Sequence, residues 1–392
     1  MTEFAPAWYV DSADKLSAWL DRLADAELIA VDTESDSFHH YREKVCLIQM
    51  TACGEDAIID PLAFDGMQAL ASLFADPRRT KVFHDAGYDL MCLQRDFGFE
   101  VAGLFDTMLA SRLLGQEKFG LAAILLERFG YEANKRLQRS DWARRPLTPA
   151  QIAYAQHDTH FLPELVGQLT HELETAGRLA WAQEDFARLP EIAARNAARD
   201  SRRDPDAFWR MRGVRALSPV ARGRIKELYL VREKIAERLD RPPFKVFGDA
   251  VIKELARKPP QSPDDLPRRG LRRAGVERFG TEIMAALERA TPIQGKPPAG
   301  VGRRQRSGRL LDPQARRRYE ALRRLRREKA THLGLDPEVL LGNATLEGVA
   351  KHAPATLDAL LEESQFCGWR QPVLAKDVLR LVELDAEQTP AR

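Results

Sequence analysis

The sequence predicts an α/β domain with a partly antiparallel sheet, followed by all-helical modules. Two patterns carry this reading. Up to Gly115, short β-rich runs alternate with helical ones, whereas beyond Thr107 the periodicity is almost entirely helical. A third observation concerns charge: residues 1–200 hold 20 Lys+Arg and 32 Asp+Glu, a net −12, and residues 201–392 hold 40 and 26, a net +14, within a chain of +2 overall. An acidic front half suits a site that binds cations, and a basic rear half suits a polyanion that would release counterions on binding. The plainer alternative is an unevenly charged, solvated surface.

Taken in order, ELIAVDTES (27–35) reads as a buried strand, and VCLIQM (45–50) and DAIIDP (56–61) as two strands joined by the turn segment TACGE. KVFH (81–84) is a further strand before the helical AGYDLMCLQRDF. TMLASRLLG and GLAAILLERFG are helical, as is a long segment opened by Thr148-Pro149, where Thr caps and Pro occupies the first turn. The charged stretch RNAARDSRRDPD (195–206) marks a first boundary, and TPIQGKPPAGVGRRQRSGR (291–309) a Pro/Gly/Arg-rich linker. The expected division is 1–200, 207–292, a linker at 293–309, and 310–392.

A chain of 392 residues accommodates two or three domains of ordinary size. No apolar run approaches the ~20 residues that span a bilayer, so no membrane partner is expected. The N-terminus lacks a basic segment followed by an apolar one, which makes the cytoplasm the default location. Cys46, Cys53, Cys92 and Cys367 form no Cys-x-x-Cys pair and are expected to be reduced; a zinc site is not expected, because zinc ligands group at short spacings.

The rear half contains an internal repeat. Arg232-Glu233-Lys234 recurs as Arg327-Glu328-Lys329, and Ala236, Gly248 and Ala256 share their offsets with Ala330, Gly342 and Ala350. One small helical fold used twice explains this.

Four acids stand out. Asp32 and Glu34, two apart in a strand, point to the same side and can meet one ion. Asp89 lies in a helical run, pointing away from the Leu90 and Leu93 stripe. Asp158 follows Tyr154 by four residues on one helical face. Each motif alone has a structural explanation: a strand end emerging into solvent, or a tyrosine at a core edge. Together the acids supply the hard oxygen ligands that two divalent metals need for an in-line phosphoryl displacement.

With these motifs the sequence resembles the DEDD exonuclease family, in the subgroup with a tyrosine in its third motif. The train FDTMLASRLLG, QRSDWARRPLT and YAQHDTHFL is similar to that of the ribonuclease D group. The resemblance implies an α/β RNase H-like exonuclease domain with a mixed sheet flanked by helices. It further implies Asp32, Glu34, Asp89 and Asp158 as metal ligands for two Mg²⁺ or Mn²⁺ ions, with Tyr154 orienting the attacking water. The repeats resemble HRDC domains, which gives two small all-α HRDC-like domains; the second match is weaker and lacks a comparable closing segment.

Further residues are candidates for substrate contact. Phe38 follows the first acidic motif and either stacks on a terminal base or packs in the core. His84 either bonds a sugar or phosphate or caps the next helix. Trp142, Arg144 and Arg145 combine an aromatic plane with guanidinium groups suited to bases and phosphates, against a bland reading of Trp142 as an anchor. The Arg-rich run 316–329 is either a phosphate-binding face or a solvated one.

The resemblance implies a 3′-to-5′ exoribonuclease that releases 5′-mononucleotides, with RNA as partner, tRNA precursors and other structured 3′ ends as substrates, and no obligate protein partner. The rivals are a DNA 3′-5′ exonuclease of the same superfamily and a non-catalytic RNA-binding scaffold. The second is disfavoured by the full set of acids, which would only repel phosphate on a binding surface.

Overall fold

The computed structural model describes residues 4–197, 204–298, 311–363, 366 and 368–387. Half of the expected boundary stretch at 195–206, the Arg-rich part of the linker and Cys367 lie outside the described residues. The chain divides into two compact units: one of Met1–Glu34, Val45–Ala197 and Arg306–Arg392, the other of Ser35–Lys44 and Ala198–Gln305.

The first unit is built on a mixed six-stranded sheet. Its strands are β1 (Trp8–Val10), β2 (Leu28–Ser35), β3 (Val45–Ala52), β4 (Glu55–Ile59), β5 (Thr80–Phe83) and β6 (Leu104–Asp106), in the order β1-β4-β3-β2-β5-β6. The pairs β1–β4, β2–β5 and β5–β6 are parallel, and β3–β4 is antiparallel. Every residue of β3 is buried, as befits a strand covered on both faces. The turn after β3 is tighter than the expected TACGE. Thr51 and Ala52 stay in the ladder, and only Cys53 and Gly54 turn, both at positive φ, the geometry of a two-residue hairpin that follows strand twist.

Among the described residues, eight helices flank the sheet: α1 (Ala13–Arg22), α2 (Ala71–Ala75), α3 (Gly87–Phe97), α4 (Thr107–Leu113), α5 (Leu121–Phe129), α6 (Pro149–His160), α7 (Leu162–Thr175) and α8 (Leu179–Ala197). Trp19, Ile29, Val31, Ile48, Phe74 and Leu93 fill one core, while Ala30, Val82, Leu162, Leu165 and Leu169 belong to another. The sheet is thus covered on both sides, and β2, inside it, carries its acids in its C-terminal half.

The second unit contains α9 (Pro219–Arg238), α10 (Pro243–Val246), α11 (Asp249–Arg257) and α12 (Arg273–Glu288) around Phe208, Trp209, Ile225, Ile252 and Ile283. The segment 35–44 joins it through Tyr41, whose backbone N–H donates to Asp240 at 3.1 Å and whose hydroxyl donates to Glu233 at 3.3 Å, and through Arg42, paired with Glu237 at 2.8 Å.

The remaining helices are α13 (Pro313–Leu333), α14 (Pro337–Leu340), α15 (Asn343–His352), α16 (Leu357–Leu361) and α17 (Arg370–Glu387). They repeat the plan of α9–α11: a long helix bearing Arg-Glu-Lys, a four-residue helix, then a helix whose N-cap is Gly248 in one copy and Gly342 in the other. This second copy does not stand alone. It shares one core with α7 and α8, in which Trp181 and Trp369 stack with centroids 4.3 Å apart and planes at 7°. Arg370 pairs with Asp185 through bonds of 2.5 and 2.8 Å, both side chains being buried. Gly115, at φ 79°, lets the chain pass against the carbonyl of Gly334, where a Cβ would collide with backbone. The second copy thus belongs to the first compact unit, whereas the first copy belongs to the second.

The Arg-rich run on α13 is not a single exposed face. Arg318 and Arg326 turn inward to the carbonyls of Ala350 and Leu341, while Arg316, Arg317, Arg324 and Arg327 are exposed. No helix of the described residues is long and apolar enough to cross a membrane.

Candidate active site

Four acids reach the site from three elements. Asp32 and Glu34 project from β2, and Asp158 from α6; one ligand oxygen from each of these three lies within 4.8 Å of the others. Asp89, in the first turn of α3, is 7% exposed and accepts a 2.5 Å hydrogen bond from the hydroxyl of Thr33, which lies between the two strand acids.

Local sequence explains these placements. Thr148 and Gln151 form a reciprocal capping box at the start of α6, with Pro149 at its first position, so the helix begins at a fixed residue. Tyr154 and Asp158 then stand one turn apart on one face, and the phenol donates to the carboxylate. The indole of Trp142 lies beside the Tyr154 ring, with centroids 5.8 Å apart.

The electrostatics are those of crowded negative charge. Burial pushes the Asp32 carboxyl well above its ordinary pKa, and Asp158 pushes it further. Glu34 is raised by burial, then by Asp32, Asp158 and Asp89. Asp89 is raised by burial and by Asp32, with Thr33 opposing. Burial raises Asp158 too, against the bond from Tyr154. The Tyr154 phenol is raised by burial and by Asp158, Glu34 and Asp32, so it holds its proton.

This donor set fits divalent cations. It consists of hard carboxylate oxygens, and the charged neighbours acting on Glu34 are all carboxylates, so a cation would relieve the repulsion that now raises their proton affinity. Asp32, Glu34 and Asp158 offer ligand atoms to one point, and Asp89 adds a fourth carboxylate beside Asp32.

The other candidate residues are placed differently. Trp142 is fully buried, which withdraws its indole from any bound nucleic acid. Arg145 binds Asp60 through Nε at 2.5 Å and Nη2 at 2.7 Å, and also donates to the carbonyls of Cys46 and Trp142, so its guanidinium is taken up by the framework. Arg144 is exposed. His84 places Nδ1 2.9 Å from the Thr107 hydroxyl, and burial lowers its pKa to about 4, leaving a neutral ring. Phe38 is 44% exposed, within the segment that belongs to the second unit.

Two features of the site escaped the sequence reading. Thr33 touches an acid 56 positions away, and His157, next to Asp158, lies 2.7 Å from the hydroxyl of Tyr131. The strand period could only have put Thr33 on the face opposite the acids, and nothing local signals either contact.

Residues 8–174 match the family described as 3′-5′ exonuclease, and residues 221–287 and 315–382 each match the HRDC domain. Ribonuclease D of Granulibacter bethesdensis is 28% identical over 384 residues, covering 97% of this chain and 93% of that protein. The chain thus carries a 3′-5′ exonuclease domain followed by two HRDC domains, and over nearly its whole length it is similar to ribonuclease D. Among solved structures, Escherichia coli RNase D superposes with a TM-score of 0.74 at 22% identity, covering 97% of this chain and 99% of its own. The catalytic core of RRP6 from Trypanosoma brucei gives 0.61 at 27% identity over 72% and 79% of the two chains. In this chain a mixed sheet flanked by helices is followed by the two HRDC matches.

Proposed function

We propose that this chain hydrolyses RNA from its 3′ end, one nucleotide at a time, releasing 5′-mononucleotides with the help of two divalent ions, Mg²⁺ or Mn²⁺. Precursor tRNA and other structured 3′ ends are its substrates. The observation that carries this reading is the convergence of Asp32, Glu34 and Asp158 within 4.8 Å, with Asp89 beside them and Tyr154 bonded to Asp158. The ribonuclease D relatives that align over nearly the whole chain support RNA as the polymer.

Asp32, Glu34, Asp89 and Asp158 would hold the ions. When bound, such ions lower the pKa of water and stabilise charge on the leaving oxygen. Tyr154 keeps its proton, so it can donate a hydrogen bond but cannot serve as the base; anchored on Asp158, its hydroxyl orients the water for attack on the terminal phosphodiester. The clustered carboxylates, partly exposed at Asp32, Glu34 and Asp158, would repel phosphate until cations are present, which ties substrate binding to metal loading.

Matched 5′-labelled RNA and DNA oligomers, incubated in Mg²⁺, in Mn²⁺ and in chelator, test this. A descending ladder on RNA, absent in chelator and weaker on DNA, is expected. A ladder on DNA of equal or greater rate would favour the DNA exonuclease, and no metal-dependent shortening of either polymer would favour a binding protein.

A further inference from the structure

The face of α6 that looks away from the acids is tied to the sheet by one carboxylate. Tyr154 and Asp158 occupy one side of the helix, whereas Gln156, Thr159 and His160 occupy the opposite side. Asp56, paired across the β3–β4 ladder with Thr51, meets this second side. Its Oδ2 accepts from Gln156 Nε2 at 2.7 Å and from His160 Nδ1 at 2.7 Å, and its Oδ1 accepts from the Thr51 hydroxyl at 2.6 Å. The Thr51 and Thr159 hydroxyls are 2.8 Å apart; with the Thr51 proton committed to Asp56, Thr159 is the donor. Gln156 also donates to the Ala5 carbonyl at 2.7 Å. Asp56 and Gln156 are each 7% exposed and Thr159 1%, so these bonds form away from competing water.

We propose that Asp56 is a positioning residue for hydrolysis: by gripping the back of α6 it fixes the rotation of that helix, and with it the places of the Asp158 carboxylate and the Tyr154 hydroxyl beside Asp32 and Glu34. The inference rests on the exonuclease reading of the site. A turn of about 10° moves a carboxylate roughly 5 Å from the helix axis by about 1 Å, and a misplacement of ~1 Å can cost ~10²-fold in rate. Asp56 reaches the chemistry only through the helix.

The test compares full-length Asp56→Asn with the wild type. The amide keeps the volume but presents an N–H to a ring of donors, so one side of the grip opens. Single-turnover rate at saturating RNA is expected to fall ~10–100-fold and the half-saturating Mn²⁺ concentration to rise several-fold, while RNA affinity in chelator stays within about twofold. A lower melting temperature with an unchanged rate per folded molecule and an unchanged Mn²⁺ requirement would overturn the proposal, since it would leave Asp56 a stability role alone. Gln156→Met removes a single donor and serves where Asp56→Asn does not fold. It is expected to give the same pattern more weakly, and wild-type rate and Mn²⁺ dependence in it would equally overturn the proposal. The wild-type arm separates the two readings: absent metal-dependent hydrolysis there refutes the exonuclease, whereas equal rates in variant and wild type refute the positioning role.

Discussion

The Thr33 hydroxyl donates to the Asp89 carboxylate across 2.5 Å, joining β2 to the first turn of α3 from between the two strand acids. One of the carboxylate's lone pairs is thereby fixed, which sets the direction of those left for a cation. Replacing Thr33 by Val keeps the β-branched shape and removes the donor. Metal affinity or activity is expected to fall about 10–100-fold, as when partners of metal ligands are removed, and a Mn²⁺ titration of the cleavage rate checks it. Equal titration curves would make Thr33 a packing residue.

Asp32→Asn, Glu34→Gln, Asp89→Asn and Asp158→Asn are each expected to nearly abolish cleavage at saturating metal, because each removes a negative oxygen ligand. The same changes relieve like-charge repulsion, so in chelator Asp32→Asn should melt at a higher temperature than the wild type. Calorimetry in chelator and in Mn²⁺ reads both effects. A variant that keeps half the rate removes its acid from the ligand set.

Tyr154→Phe deletes one hydroxyl from a ring already packed beside Trp142. RNA affinity should stay constant while single-turnover rate falls by up to ~10²–10⁴-fold, the range for losing a positioned proton-handling group. Identical rates would assign Tyr154 to the core.

The exposed Arg316, Arg317, Arg324 and Arg327 are the accessible part of the basic run on α13. If they bind phosphate, changing them to Gln flattens the plot of log affinity against log salt by ~0.7–0.9 for each phosphate that is no longer neutralised. Filter binding of a tRNA precursor over a salt series measures this. An unchanged slope would leave these arginines as a solvated face.

Arg370→Met breaks the buried pair with Asp185 and leaves that carboxylate without its guanidinium. Removing one partner of such a pair costs about 3–5 kcal/mol, and here the cost should appear as an earlier loss of exonuclease activity on heating, since α17 and α8 share a core. Unaltered thermal inactivation would mean that the second HRDC domain does not support the catalytic sheet.

Much of this architecture could be read from local pattern. Period two put Asp32 and Glu34 on one side of a strand, period 3.6 put Tyr154 beside Asp158, and Thr148-Pro149 announced the start of α6. The repeat offsets paired Gly248 with Gly342, and the structure makes both of them helix N-caps. What stayed hidden depends on pairings between distant positions. The three-residue strands β1 and β6 are too short for periodicity to register. Arg145 looked like a phosphate ligand because its partner, Asp60, lies 85 positions away, and Arg318 looked solvent-facing because nothing near it in sequence names the carbonyl of Ala350. Composition reports which chemistries are present, and only the folded chain decides which of them are already occupied.

The stacked indoles of Trp181 and Trp369 bear on how this chain can be dismantled. A duplicated module is ordinarily interchangeable with its sibling, and either copy can be deleted or moved. Here the later copy has given up that portability: its tryptophan stacks on one from a helix of the nuclease, and its arginine neutralises an aspartate there. A shortened enzyme should therefore keep the second copy, and removing the first would strip segment 35–44 of its bonds to Glu233, Glu237 and Asp240.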